Sequence, residues 1–241
     1  MLIDIKNLNI TIWWKNILKD VGFSLWEWDI LSILWHNGSW KTTLLKSIIW
    51  LVPSSWTILF DNEDISKLKI YERANKWISY IMQEIPEYTW MTVYNYLKNI
   101  LKDKFDEKKI YELFDLFWLD YEIYKERNFD QHLSWWEKKK IEIITNFMMD
   151  KKLYLLDEVE TSLDATSRAI LIDLILEKSK NWTSFIIVSH NKDLIEIASN
   201  WILLCNQQIQ QTWNIKELFK KYIWECENCQ KKDNCIHKNK I

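Results

Sequence analysis

Glycine is nearly absent from this chain of 241 residues, which contains 2 glycines and 17 tryptophans. Average usage of about 7% would give roughly 17 glycines in a chain of this length. The tryptophans occur where turns are expected, as in Ser-Ser-Trp at 54–56 and Asn-Trp-Thr at 181–183. Turns often need a positive φ, which glycine adopts without strain. We therefore expect that UGA is a glycine codon for this gene, and that most of these tryptophans are glycines in the cell.

The chain also lacks long apolar runs and a strong net charge. No run approaches the roughly 20 apolar residues of a spanning helix. Segment 1–12 has no basic region followed by an apolar one, so we do not expect it to be a signal peptide. The formal net charge is −2, whereas nucleic-acid-binding domains carry clustered Lys and Arg. The composition predicts a cytoplasmic protein without a nucleic-acid partner, which would reach the inner face of the cell membrane only through a partner protein.

Cysteine is scarce as well, and four cysteines do not make a disulfide framework for a domain of this size. The Lys-rich segment 221–241 nevertheless contains Cys226, Cys229, Cys235 and His237. These have the number and types of ligands found in tetrahedral zinc sites. They are candidate zinc ligands, although an iron–sulfur site would also use such thiolates. A polar tail with free thiols is the alternative interpretation.

Strand-like and helix-like patterns alternate along the chain. Strands are predicted at 3–12, 17–25, 29–34, 57–60, 78–82, 152–158 and 184–190, with a hairpin at 201–213. Helical spacing occupies 41–50, 91–127, 136–149 and 165–179. This alternation predicts an α/β fold, with a helical insert between about 87 and 145.

The segment WHNGSWKTT at 35–43 lies between a predicted strand and a predicted helix. It has the form G-x-x-x-x-G-K-[ST] of a phosphate-binding loop if both tryptophans are glycine. Backbone N–H groups of such a loop bind phosphate, Lys41 would reach the β- and γ-phosphates, and the Thr42 hydroxyl would bind Mg²⁺. The candidate nucleotide-binding residues are Trp35, His36, Asn37, Gly38, Ser39, Trp40, Lys41, Thr42 and Thr43.

Two acids and a histidine end other predicted strands. KLYLLDE at 152–158 is a buried-strand pattern that ends in Asp157 and Glu158. Asp157 would hold Mg²⁺ through water, and Glu158 would polarise the attacking water as a general base. His190 ends the strand SFIIVSH, where it could contact the γ-phosphate.

Together with LSWWE at 133–137, which would be LSGGE in the cell, this set resembles the ATP-binding cassette (ABC) ATPases over residues 1 to about 220. The resemblance implies a phosphate-loop core with a mixed sheet, an antiparallel β part at the N-terminus and the helical subdomain insert. It also implies that ATP lies between two cassettes, as a homodimer or a heterodimer. The residues that would face the partner's nucleotide are Ser134, Trp135, Trp136 and Asp164.

The resemblance assigns two further catalytic residues. Gln83 would be the glutamine that senses the γ-phosphate and ligates Mg²⁺, and His190 would be the switch histidine. One departure from the family concerns adenine binding, because Ile12 stands where an aromatic residue usually stacks on adenine. Taken literally, Trp40 would put an indole where the phosphate binds, and a catalytically inactive scaffold would result.

Two coupling roles remain open. RNFDQHLSWWEKKKIEI at 127–143, QEIPEYTW at 83–90 and DEVETSLD at 157–164 resemble the ATPase of the Suf-type iron–sulfur assembly machinery, whose partners are scaffold proteins. VSHNKDLIEIA at 188–198 and the short helical insert are instead similar to the ATP-binding subunits of transporters, whose partner is a membrane permease. We expect the first role, with the second as the alternative.

Overall fold

The computed structural model describes residues 1–35, 40–52, 54–205 and 208–212. Within these ranges, no helix combines the length and the apolar character that crossing a membrane would require. Several candidate site residues lie outside them, namely His36, Asn37, Gly38, Ser39, Cys226, Cys229, Cys235 and His237.

The described chain forms ten strands and eight helices. The strands are β1 (Ile3–Ile12), β2 (Lys15–Leu25), β3 (Ile30–Trp35), β4 (Ser55–Phe60), β5 (Glu63–Asp64), β6 (Ile78–Ile81), β7 (Leu153–Asp157), β8 (Ser184–Val188), β9 (Asn200–Cys205) and β10 (Gln208–Thr212). The helices are α1 (Trp40–Ile48), α2 (Ile70–Asn75), α3 (Val93–Leu101), α4 (Glu107–Leu116), α5 (Tyr121–Tyr124), α6 (Trp135–Met148), α7 (Ala165–Lys180) and α8 (Lys192–Glu196).

The strands form two sheets. The first is antiparallel, in the order β2-β1-β4-β5, and is built from the N-terminal hairpin and the segment after α1. The second has the order β10-β9-β3-β8-β7-β6. Strands β9, β3, β8, β7 and β6 run parallel, and β10 pairs antiparallel with β9. The expected mixed sheet and antiparallel N-terminal part are therefore confirmed.

Apolar residues fill both faces of the second sheet. One cluster joins it to the antiparallel sheet and to α1, with Leu44, Leu45 and Ile48 fully buried. The other cluster lies under α3 to α8 on the opposite face. Burial on both faces explains why β7 and β8 are continuous apolar runs rather than alternating ones.

The helical stretch predicted at 91–127 is divided into short helices in the structure. Asp106 accepts hydrogen bonds from the backbone N–H groups of Lys108 and Lys109 at 3.1 and 3.2 Å and so begins α4. Asp120 caps α5 in the same way. Such caps satisfy the first N–H groups of a helix, and each one starts a new helix where apolar periodicity alone indicated a longer one.

Tryptophan occupies the left-handed backbone region repeatedly. Fifteen described residues other than glycine have a positive φ, and eight of them are tryptophans with φ between 48° and 74°. They are Trp13, Trp14, Trp28, Trp50, Trp77, Trp90, Trp118 and Trp182. Trp201 differs, since it lies in β9, is buried, and its indole N–H donates to the carbonyl of Ile195 at 2.9 Å. A positive φ is uncommon for a bulky residue, so these eight positions have a backbone suited to glycine.

Candidate functional site

Four segments meet at one edge of the second sheet. Because parallel strands end at the same edge, the residues that follow β3, β6, β7 and β8 are brought together. Lys41 lies in the first turn of α1, Gln83 follows β6, Glu158 follows β7 and His190 follows β8. Of the predicted phosphate loop, the structure describes the backbone of Trp35 at the end of β3 and of Trp40 at the start of α1, so the strand and the helix of the motif are in place.

Glu158 is the centre of this group. The ammonium of Lys41 lies 2.8 Å from its Oε1, and Gln83 Nε2 donates to its Oε2 at 3.2 Å. His190 Nε2 lies 3.6 Å from Oε1 and also contacts the Lys41 ammonium. Glu158 itself has φ 49° and ψ 37°, the left-handed conformation. Such a backbone costs on the order of 1–3 kcal/mol and is often found at functional sites.

Asp157, the last residue of β7, is held through both carboxylate oxygens. Thr42 Oγ1 donates to Oδ1 at 3.1 Å, and the Tyr80 hydroxyl donates to Oδ2 at 2.8 Å. Burial raises the pKa of Asp157, although the hydrogen bonds from Tyr80 and Thr42 act in the opposite direction. Burial also raises the pKa of Tyr80, which keeps this hydroxyl protonated as a donor.

Oxygen atoms of Thr42 and Asp157 are the ligand type that Mg²⁺ prefers, and Mg²⁺ commonly binds one or two carboxylates together with substrate phosphates. A cation beside the buried Asp157 would offset the cost of burying its charge, so these residues fit Mg²⁺. Gln83, the third candidate ligand, bonds Glu158 instead. Within the described ranges, no group of three or more His, Cys, Asp or Glu side chains could hold a metal ion by itself.

Ser134 begins a second group, at the N-terminus of α6. Its hydroxyl accepts from the backbone N–H of Glu137 at 3.3 Å, and Glu137 accepts in return from the backbone N–H of Ser134 at 2.7 Å. Burial would raise the pKa of Glu137, but hydrogen bonds from Ser134 and Tyr124 hold it below its ordinary value. This reciprocal cap fixes the start of α6.

Trp135 and Trp136 follow Ser134 in the first turn of α6 and are about half exposed. The Trp135 indole N–H donates to Ser162 Oγ at 2.6 Å. Neither residue has a positive φ, so the backbone there does not itself demand glycine. Only close approach of another molecule to this turn would do so.

Asp164 caps α7 and joins the second group. It accepts from the backbone N–H of Ser167 at 2.8 Å, and Lys140 of α6 lies 3.3 Å from its other oxygen. The backbone hydrogen bond from Ser167 lowers the pKa of Asp164 to about 2. The sequence-derived site residues therefore form two groups, one around Glu158 and one at the start of α6 and α7.

The contact of Tyr80 with the site could not be predicted from the sequence. It lies in β6, which pairs with β7, and is 77 positions from Asp157. An isolated tyrosine in an apolar strand is usually a core residue, and only the pairing of β6 with β7 shows that its hydroxyl reaches a motif carboxylate.

Comparison with known proteins gives one consistent result. The family model described as "ABC transporter" matches residues 18–161. The chain is 29% identical to an uncharacterized ABC transporter ATP-binding protein of Methanocaldococcus jannaschii, over 96% of each protein. It is 30% identical to the ABC transporter ATP-binding protein YtrB of Bacillus subtilis, over 92% of this chain and 75% of YtrB. A solved dimeric cassette in a post-hydrolysis state with ADP and Pi has a TM-score of 0.76 and 18% identity, over 88% of this chain and 98% of that one.

Proposed function

The chain belongs to the ABC transporter family, and from that premise we propose that it is the ATP-hydrolysing subunit of a membrane transporter. It has the ABC-type ATPase fold. The observation that carries the proposal is the convergence of Lys41, Gln83 and His190 on Glu158 at the carboxyl edge of the parallel sheet. The names of both relatives refer to ATP binding in transport, which supports this role over the Suf-type role expected from the sequence.

Each side chain of the Glu158 group has a role in this proposal. Lys41 binds the β- and γ-phosphates, and Thr42 and Asp157 hold Mg²⁺, which would neutralise charge on the phosphates. Glu158 accepts the proton of the attacking water. Gln83 and His190 both lie beside Glu158. In this proposal they sense the γ-phosphate of bound ATP, so its presence affects the surroundings of that carboxylate.

In this proposal, the Lys41 ammonium exchanges the carboxylate of Glu158 for the phosphates of ATP when the nucleotide binds. Lys41 is almost fully buried and its ammonium is bound to the carboxylate of Glu158 at 2.8 Å. The phosphates of ATP carry more negative charge than one carboxylate and would draw the ammonium away. Glu158 would then be free to accept a proton from water, so substrate binding itself would activate the base.

The group at the start of α6 supports a dimer with a second cassette, either another copy of this chain or a different cassette. Ser134, Trp135 and Trp136 form an exposed helix start, and helix N-termini favour phosphate. Asp164 forms an ion pair with Lys140 of the same helix. We propose that this group faces the ATP bound by the partner cassette, with glycine at 135 and 136 allowing the approach.

Glycine in place of most tryptophans is part of the same proposal. Eight tryptophans have positive φ, and the same substitution at 35 and 40 would complete the phosphate loop. The glycine form of the chain is defined as the chain with glycine at these eight positions and at 35, 40, 135 and 136. A peptide mass spectrum of residues 31–46 from native cells should show glycine at 35 and 40, and tryptophan there would refute the proposal.

Two experiments test the function itself. The glycine form should hydrolyse ATP in a Mg²⁺-dependent manner, while the chain with tryptophan at 35 and 40 should not. A pull-down from native lysate should recover a membrane permease. Recovery of soluble iron–sulfur assembly proteins instead would favour the Suf-type role, and absence of ATPase activity in the glycine form would favour an inactive scaffold.

The segment 221–241 is proposed as a tail separate from the ATPase domain at 1–220 that carries the insert at about 87–145. Its Cys226, Cys229, Cys235 and His237 lie outside the described residues, and zinc binding there stays a prediction. Zinc that is present in the purified protein and lost in a Cys229→Ala variant would support a zinc site. Purified protein without zinc would contradict it.

A further inference from the structure

Three consecutive lysines in α6 are almost completely buried. The side chains of Lys138, Lys139 and Lys140 are exposed by 4%, 0% and 5%. Lysine is rarely buried without a partner because its charge is costly to remove from water. Each of these ammonium groups therefore marks a contact that the fold maintains.

Lys139 binds the segment that leads to Gln83. Its ammonium donates to the carbonyl oxygen of Met82 at 2.6 Å and to Glu142 Oε2 at 2.7 Å. Burial raises the pKa of Glu142, and Lys139 and a hydrogen bond from the backbone N–H of Met82 act against that rise. The carbonyl of Met82 is therefore held by one member of a buried ion pair.

Lys138 holds the same loop further along. Its ammonium lies 2.6 Å from Glu87 Oε1, four positions beyond Gln83. The segment from Met82 to Glu87 is thus fastened to α6 at both ends, and Gln83 lies between the two contacts. Ser134 caps the N-terminus of α6, so the helix that it caps also sets the position of Gln83.

Stability alone is a weak reason to keep such a pair. A buried ion pair often contributes little compared with well-packed apolar residues, because desolvation offsets the attraction. The direction of the Met82 peptide, in contrast, decides where the next side chain points. Gln83 reaches Glu158 with a hydrogen bond of 3.2 Å, a length that a small rotation of this peptide would break.

We propose that Lys139 and Glu142 are positioning residues that fix Gln83 against Glu158, and that they couple the position of α6 to the catalytic carboxylate within one subunit. This inference rests on the proposed ATPase function. A movement of α6 would displace Gln83 through Met82. A change in the position of the Ser134 turn would therefore alter the contact of Gln83 with Glu158 through the buried pair of Lys139 and Glu142.

The test is a double-mutant cycle in the glycine form of the chain. Lys139→Met with Glu142→Gln removes both charges and leaves no unpaired ion. We expect kcat to fall about tenfold with little change in the KM for ATP, because a misplaced catalytic group affects the rate more than binding. In a Gln83→Ala background the same two changes should alter kcat by less than about twofold, since they act through Gln83.

The control replaces another ion pair of nearly the same length. Lys178 and Asp150 are 2.8 Å apart, and neither contacts a residue of the Glu158 group. Lys178→Met with Asp150→Asn should leave kcat unchanged in both backgrounds. If the double variant of Lys139 and Glu142 does not fold, Glu142→Gln alone replaces it, and its rate loss should likewise vanish in the Gln83→Ala background.

An equal fall of kcat in both backgrounds, or no fall in either, would overturn the coupling through Gln83. Failure of the proposed function is seen separately, because the unsubstituted glycine form would then show no ATPase activity. A fall confined to the background that retains Gln83 supports the assignment.

Discussion

Lys41 and Glu158 form an ion pair of 2.8 Å across 117 positions of sequence. The pair joins the helix after β3 to the turn after β7, and Glu158 also accepts from Gln83. In the proposed function, this carboxylate accepts a proton from the attacking water.

Glu158→Gln in the glycine form should lower ATP turnover by roughly 10²–10⁴-fold, because the amide keeps the shape but does not take up a proton. ATP binding should persist and the ATP-bound dimer should accumulate, as size-exclusion chromatography with ATP would show. Glu196→Gln is the control, since Glu196 forms an exposed pair with Lys192. Undiminished turnover in Glu158→Gln would refute its role as the base.

The Glu158 group could be predicted from the sequence for a specific reason. Strands β6, β7 and β8 are marked by apolar runs, and parallel strands bring whatever follows them to one edge. Knowing that Gln83, Glu158 and His190 follow such strands is therefore enough to place them at the same edge of the sheet.

Contacts set by strand order or by side-chain direction could not be predicted in this way. Nothing in the sequence shows that β6 lies beside β7, so the bond between Tyr80 and Asp157 stayed hidden. Likewise, nothing in the sequence shows that the three lysines of α6 are buried, because their burial depends on how α6 packs against the loop after β6. Short elements such as β5 and α8 carry too few residues to show a period.

Tyr80→Phe should weaken Mg²⁺ binding about tenfold, a loss typical of removing a residue that orients a metal ligand. The variant loses only the hydroxyl that donates to Asp157 Oδ2. Mn²⁺ affinity of the nucleotide-bound glycine form, measured by electron paramagnetic resonance, reports this independently of turnover. Tyr154→Phe is the control, because its hydroxyl bonds the carbonyl of Asn146 away from the site. Equal Mn²⁺ affinity in the Tyr80 variant and the parent would contradict the assignment.

Asp157→Asn should stabilise the chain without ligand at pH 7 while weakening Mg²⁺ binding. Burial raises the folded-state pKa of Asp157 above its ordinary value of 3.8, so the ionised carboxylate costs stability once the pH exceeds that value. The amide avoids this cost and can keep contacts with Thr42 and Tyr80. The gain should be about 1 kcal/mol, in the range common when a functional residue is neutralised.

The pH dependence of that gain has a definite sign. As the pH falls towards 3.8, the carboxyl of Asp157 becomes protonated in the folded and then in the unfolded chain, and the advantage of asparagine disappears. Urea unfolding of both forms at pH 7 and pH 4 measures it. A variant that is less stable than the parent at pH 7 would show that Asp157 is not destabilising.

Trp90→Gly should stabilise the chain with tryptophan at the other positions by about 1 kcal/mol. The substitution removes the strain of a positive φ, which costs on the order of 1–3 kcal/mol. This gain should exceed the loss caused by the greater conformational freedom of glycine in the unfolded chain. Trp90 has φ 70° and is 93% exposed, so little packing is lost with the indole. Trp90→Ala keeps the β-carbon and should give no such gain, which separates backbone relief from loss of the ring. Trp201→Gly should instead cost about 3–5 kcal/mol, since Trp201 is buried and hydrogen-bonded. Urea unfolding of the three variants tests this order, and a Trp90→Gly variant no more stable than Trp90→Ala would contradict the assignment of glycine to that turn.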